Sequence, residues 1–280
     1  MADMPHRLQT TISDALWAAI QERARQLGQP TRQVVQEALA EALDLDHHSM
    51  FQVSTSGALV EGLYQGAVTV GDLRRHGDTG LGTFEDLDGE LIMIDGHCYQ
   101  ARSDGSVIEA GDDTLTPFAT VVSFVADERH DLDNITSYND LTKRLDALRL
   151  SDNEFIAWRI TGLCSSLTVR TACRHASGTP LVEAVADQAV FDLTDIPVTI
   201  VGFWSPAYAE AVAIPGYHLH CVSDGRTRGG HVFDLTAPGL AVEIHRVTDL
   251  HLALPETQEF LEAHISGGTA DALVRTERGD

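Results

Sequence analysis

Residues 216–234 read GYHLHCVSDGRTRGGHVFD, and the reading of the chain starts there. His218 and His220 stand two apart in a strand-like run, so both side chains leave the same face. Asp224 and Gly225 begin a turn, Gly229 and Gly230 end it, and His231 opens the returning strand. If Ser223 and Arg228 pair across this hairpin, the register sets His231 opposite His220. Three imidazoles then converge on one point. Three neutral histidines with coordination positions left open suit a catalytic Zn²⁺ or a related divalent ion, not a closed structural site. The chain holds 13 histidines, so three scattered ones are the competing reading. An H-x-H on one strand, with a third histidine across a Gly-rich turn, favours the metal. Cys221 points away from His220 and is read as core.

Outward from the hairpin, short strand patterns dominate from Phe51 onward, among them FQVST, ELIMID, CYQAR, TPFATVVSF, EFIAWRITGL, SLTVRT, VTIVGFW, HVFDL and AVEIHRV. Helical patches interrupt them at GALVEGLYQG, Leu141–Leu148 and Thr257–His264. Strands and helices interspersed without regular βαβ spacing predict an α+β fold rich in mixed or antiparallel sheet. Two further clusters carry polar groups. In HGDTGLGTFEDLDGEL, residues 76–91, Thr83 and Glu90 are candidate inward groups, although composition alone ranks Glu90 no higher than Glu85 or Asp86. No G-x-G-x-x-G or P-loop lysine is present there, so nucleotide binding has no basis. In SSLTVRTACRHASG, residues 165–178, Arg170 sits in a strand pattern and needs a carboxylate partner, which a structural ion pair or a substrate can supply.

Residues 1–48 have a different texture. Leu8, Thr10 and Ile12 alternate with Arg7, Gln9 and Thr11 as in a short strand. Ser13 offers an N-cap, and Leu16, Ile20, Ala24 and Leu27 form an apolar stripe that Gly28 ends. A second helix carries Val34, Val35, Ala38, Leu39, Ala42 and Leu43. So small a segment buries little core alone. It resembles the ribbon-helix-helix family, whose modules intertwine as dimers and whose strand residues, here Arg7, Gln9 and Thr11, read the major groove. Four arginines against seven acidic residues in this segment oppose DNA reading, so a homodimerisation handle is expected over residues 1–45. Asp44–Met50, DLDHHSM, is read as a solvated linker on which the His47–His48 pair does nothing. A second domain is expected over residues 50–280.

The whole chain of 280 residues carries 19 Lys+Arg against 42 Asp+Glu, a net charge of −23. Such a surface repels phosphate backbones and anionic lipid, which disfavours nucleic-acid and membrane partners. No apolar run approaches the length of a membrane span. Four well-separated cysteines and no visible secretory signal suit a reducing cytoplasm.

GLGTFEDLDGEL, then YQARSDG and TPFATV, then the VRT segment, then GYHLHCVSDGRTRGGHV stand in the order seen in alpha-acetolactate decarboxylases. Over about residues 50–277 the chain closely resembles that family. The resemblance implies conversion of (S)-2-acetolactate to (R)-acetoin and CO₂, with zinc held by His218, His220 and His231. It implies Thr83 and Arg170 as substrate contacts, Arg170 also as a charge stabiliser, and Glu90 and Glu277 as the groups for proton transfer. Where the family runs into a Pro- and Lys-containing stretch after its arginine, this chain has Ala172, Cys173, Arg174 and His175. A metabolite-responsive DNA-binding regulator, with the same pocket as sensor, is the alternative.

Overall fold

The computed structural model describes residues 10–27, 30–42 and 48–265. The chain divides into two compact units, Met1–His47 and His48–Asp280. In the first, α1 (Asp14–Leu27) begins where expected, with the Ser13 hydroxyl accepting from the Leu16 N–H at 3.2 Å. The second helix, α2 (Thr31–Ala42), follows. Ala24 and Val34 are buried, but Leu16, Leu39 and Trp17 stay exposed, Trp17 at 46%. Among the described residues, Leu16, Trp17 and Leu39 are therefore left largely uncovered. The strand expected before α1 is not shown. Residues 1–9 lie outside the described residues, and Thr10–Ile12 form no strand pairing. Gly28 and Leu43–His47 also lie outside them.

The second unit runs β1 (Ser49–Val53), α3 (Ser56–Val60), β2 (Val68–Thr69), α4 (Val70–Leu73), β3 (Thr79–Thr83), β4 (Glu90–Ile94), β5 (His97–Ala101), β6 (Val107–Glu109), β7 (Leu115–Thr116), β8 (Phe118–Val122) and β9 (Glu128–Ile135). It continues through α5 (Tyr138–Asp146), β10 (Phe155–Thr171), α6 (Leu181–Ala184), β11 (Ala189–Ser205), β12 (Gly216–Ser223), β13 (Gly229–Val247), β14 (Asp249–Ala253) and α7 (Gln258–Glu262). One sheet has seven strands, ordered β14-β1-β8-β3-β4-β5-β6, and is antiparallel except for the β1–β14 pair. Strands β2 and β7 form a separate two-stranded sheet, and a further sheet has five strands, ordered β10-β11-β12-β13-β9, in which β10 pairs with β13 as well. That extra pairing closes β10 to β13 on themselves. Alternate residues explain the closure: Trp158, Ile160, Ile200, Leu219 and Val242 turn into one cluster, which Leu141 and Leu145 of α5 also join. Each such side chain contributes about 1.5–3 kcal/mol by leaving water.

The opposite parity of the same strands faces the seven-stranded sheet. Ala157, Phe203 and Val247 meet Met50, Leu81 and Val122. Val201 and Val222 meet Ile92 and Ile94. The sheets therefore lie face to face, and polar residues near the ends of β3, β4, β12 and β13 are brought together between them. The mixed, sheet-rich α+β architecture is as expected.

Two details differ from the reading of the sequence. EFIAWRITGL and SLTVRT, set apart there by Cys164 and Ser165, are one strand, because Cys164 and Ser166 stay on the ladder, opposite Ile196 and Thr194 of β11. HVFDL and AVEIHRV likewise merge into β13. Residues 48–50, read as linker, belong to the second unit. Ser49 and Met50 already pair with Asp249 and Leu250, and the half-buried His48 holds its Nδ1 2.7 Å from the Arg246 carbonyl.

Candidate metal centre and active site

The hairpin forms in the anticipated register. His220 pairs with His231, and the Ser223 N–H donates to the Arg228 carbonyl at 2.8 Å. Gly230 makes room for it: its φ is 150°, and a Cβ there would sit 2.6 Å from the Arg170 carbonyl. His231 is thereby carried beside β10, opposite Arg170. The ring centroids of His218 and His220 are 4.7 Å apart, and each lies 5.3 Å from that of His231. All three side chains are buried, with one nitrogen of each within 4.8 Å of the others.

The protonation of this cluster follows from its neighbours. His220 Nδ1 lies 2.9 Å from the Leu91 carbonyl, which only accepts, so the proton sits on Nδ1 and the neutral ring presents its lone pair on Nε2. That Nε2 is 3.0 Å from His218 Nε2. Burial lowers the pKa of His220 to about 4, with the Arg170 charge adding to the effect. Burial, then His220 and Arg170, lowers that of His218 well below the usual imidazole value. Clustered nitrogens, on His218 and His220 kept neutral by burial and on His220 oriented by a backbone carbonyl, are the donor set that a divalent ion such as Zn²⁺ takes. The residues present fit the ion.

Glu90 arrives from the other sheet. It opens β4 directly after Gly89, whose φ is +85° and whose absent Cβ would lie 2.1 Å from the Ala101 carbonyl. Its Oε1 accepts from the Ala172 N–H at 3.0 Å, and its Oε2 is 3.4 Å from His220 Nε2. The side chain is only 14% exposed. Burial raises its pKa from the ordinary 4.5 to about 7, against the Ala172 N–H and the Arg170 charge. Arg170, buried in β10, lays its guanidinium over the Phe233 ring at 4.6 Å from the centroid. Thr83 pairs with Glu90 across β3 and β4, and its hydroxyl donates to the Gly89 carbonyl at 2.8 Å, so it steadies the turn before Glu90.

These groups line one open-mouthed pocket with about 520 Å³ of empty space, part of it continuous with solvent. Thr83, Glu90, Arg170 and the three histidines all border it. Its apolar wall, Leu59, Phe118, Leu181 and Ile214, comes from α3, β8, α6 and the residues before β12. Sequence reasoning missed that wall and also missed Gln188, the remaining polar group at the pocket. Nothing local marks them, because they converge only through packing. Glu277 lies outside the described residues. The segment after Arg170 is anchored by charge: Arg174 bonds Asp86 at 2.5 Å and His175 lies 3.0 Å from Asp187, which holds the Ala172 N–H against Glu90.

A family model described as alpha-acetolactate decarboxylase matches residues 50–267. The alpha-acetolactate decarboxylase of Bacillus subtilis strain 168 is 37% identical over 231 residues, 82% of this chain and 91% of that protein. That of Lactococcus lactis subsp. cremoris is 38% identical over 217 residues, 77% of this chain and 92% of its own. The crystal structure of the B. subtilis strain 168 protein superposes with a TM-score of 0.79 at 36% identity, covering 83% of this chain and all of the other. With more than half its length inside the family model and relatives above 30% identity over nearly their full length, this chain belongs to the alpha-acetolactate decarboxylase family of enzymes.

Proposed function

We propose that this chain converts (S)-2-acetolactate to (R)-acetoin and CO₂, in acetoin biosynthesis, using Zn²⁺ held by His218, His220 and His231. The carrying observation is that three buried imidazoles, a carboxyl with a raised pKa and an arginine border a single pocket. When bound, the zinc supplies Lewis acidity that draws charge off a ketone oxygen. Arg170 is assigned to the substrate carboxylate, which its planar fork can grip with two parallel hydrogen bonds. In a protein of net charge −23 that local cation is what admits an anion. As the bond to CO₂ breaks, its electron pair stays on the substrate and must be quenched by one proton at carbon. Glu90 is assigned that transfer through Oε2, since Oε1 is held by Ala172. Glu277 is the second candidate carboxylate. The apolar wall fits the substrate's two methyl groups and limits water at the reacting carbon.

Purified protein supplied with 2-acetolactate should release acetoin, and a chelator should stop it, with zinc restoring the rate. Acetoin formation indifferent to exhaustive metal removal would refute the assignment. Arg170→Lys keeps the charge but loses the fork, and turnover at saturating substrate should fall on the order of tenfold or more, about 1.4 kcal/mol in barrier. A wild-type rate in that variant would leave Arg170 as scaffold only.

Homodimerisation through residues 1–45 belongs to the same proposal. It is supported by the exposed Leu16, Trp17 and Leu39 of two helices, the first capped by the Ser13 hydroxyl. Light scattering on the full chain, giving twice its mass, is the expected result. The regulator alternative gains nothing from the described residues. Among these, no helix is long and apolar enough to cross a membrane.

A further inference from the structure

We propose that His48, Asp127 and His245 form a second divalent-metal site, separate from the histidine cluster of the pocket. Their ligand atoms lie within 4.8 Å of one another. They come from three distant parts of the second unit: the residue before β1, the segment between β8 and β9, and β13. The two imidazoles are stacked, with centroids 5.5 Å apart and planes 6° from parallel.

Each ring is set by a main-chain carbonyl. His48 Nδ1 lies 2.7 Å from the Arg246 carbonyl and His245 Nδ1 lies 2.9 Å from the Val125 carbonyl. Carbonyls only accept, so both Nδ1 atoms carry protons, and the neutral form of each ring has its lone pair on Nε2. An imidazole whose other nitrogen donates to a backbone carbonyl is the usual arrangement around a bound metal. The carboxylate is fixed as well. Asp127 Oδ2 accepts from the Arg246 N–H at 2.8 Å, and the Asp127 N–H donates to the Ile244 carbonyl at 2.7 Å. Arg246 thus orients two of the ligands through its backbone alone.

The surrounding charge tolerates a cation. The Arg246 guanidinium is drawn off to Glu154 at 2.7 Å and Glu128 at 2.9 Å. Arg159, over the Phe124 ring beside His245, is paired with Asp95 at 2.9 Å. Two imidazole nitrogens and one carboxylate match Zn²⁺ or another imidazole-preferring divalent ion. A metal here would clip the start of β1, in one sheet, to β13 in the other, so its affinity would appear as folding stability.

Metal content by mass spectrometry and thermal melting of the full chain, stripped with a chelator and reloaded with zinc chloride, decide the matter. Wild type should hold two zinc equivalents and His48→Ala one. His48 is half-buried at a strand's edge, so its truncation should leave acetoin formation within about twofold. His218→Ala/His220→Ala should keep one equivalent and melt about 5 °C higher with zinc than without. Adding His48→Ala should remove both the ion and the shift. A single equivalent in wild type, unchanged in His48→Ala, overturns the site and leaves the cluster an imidazole–carboxylate ion pair. One equivalent lost in His48→Ala but untouched by the pocket substitutions would instead sink the pocket's zinc while keeping this one.

Discussion

Replacing His220 by alanine should strip the zinc of the pocket and abolish acetoin formation together. Its ring is fixed on both sides: Nδ1 is on the Leu91 carbonyl, and Nε2 lies close to both His218 and Glu90. Loss of an outer partner of a metal ligand typically costs roughly 10–100-fold in affinity or activity, and loss of a ligand itself should exceed that. The Leu91 carbonyl loses its donor as well, at about 1–3 kcal/mol, so the variant should melt several degrees lower yet remain folded. Metal analysis beside an acetoin assay makes the check. Full zinc occupancy in His220→Ala, or a wild-type rate, would remove His220 from the proposed ligand set.

That prediction draws on the part of the molecule most legible in the sequence. Two histidines at strand spacing, a Gly-bounded turn and a third histidine are all local, and period-2 geometry converts them directly into a shared face. The strand-rich core was equally readable, because Trp158, Ile160, Ile200 and Val242 alternate as buried strand residues should. What the residues could not reveal by themselves is anything assembled between the two sheets. Glu90 looked no different from Glu85 or Asp86, and only the family resemblance singled it out. Its position depends on β3–β4 pairing, on Gly89 and on the Ala172 N–H from a segment 82 residues away. Gln188, Phe118 and Ile214 reach the pocket by packing alone. His48 misled for the opposite reason: a polar, aperiodic DLDHHSM reads as solvated chain, while its hydrogen bond goes to Arg246, far along the sequence.

Glu90→Gln is the substitution that separates chemistry from scaffold, and turnover should fall on the order of a hundredfold or more while zinc is retained. The amide keeps an oxygen for the Ala172 N–H, so the architecture around it should hold. The metal-free proteins supply an independent control through pH. Glu90 in the folded chain has its pKa raised from 4.5 to about 7, so between those values the folded state binds more protons than the unfolded one. Stability from this group is therefore present at low pH and lost as pH rises through about 7, reaching about 3 kcal/mol once the buried carboxylate is ionised. Glutamine does not titrate. At pH 8 the metal-free variant should accordingly melt higher than metal-free wild type, and near pH 4 the difference should vanish. A variant that is slow when zinc-loaded and more stable when metal-free at pH 8 is an outcome that misfolding cannot produce. It would mean that burial beside the histidines costs the ionised carboxylate stability and fits it to move a proton. Unchanged turnover with the same melting behaviour would leave Glu90 as a strand-edge anchor and pass the proton transfer to another group.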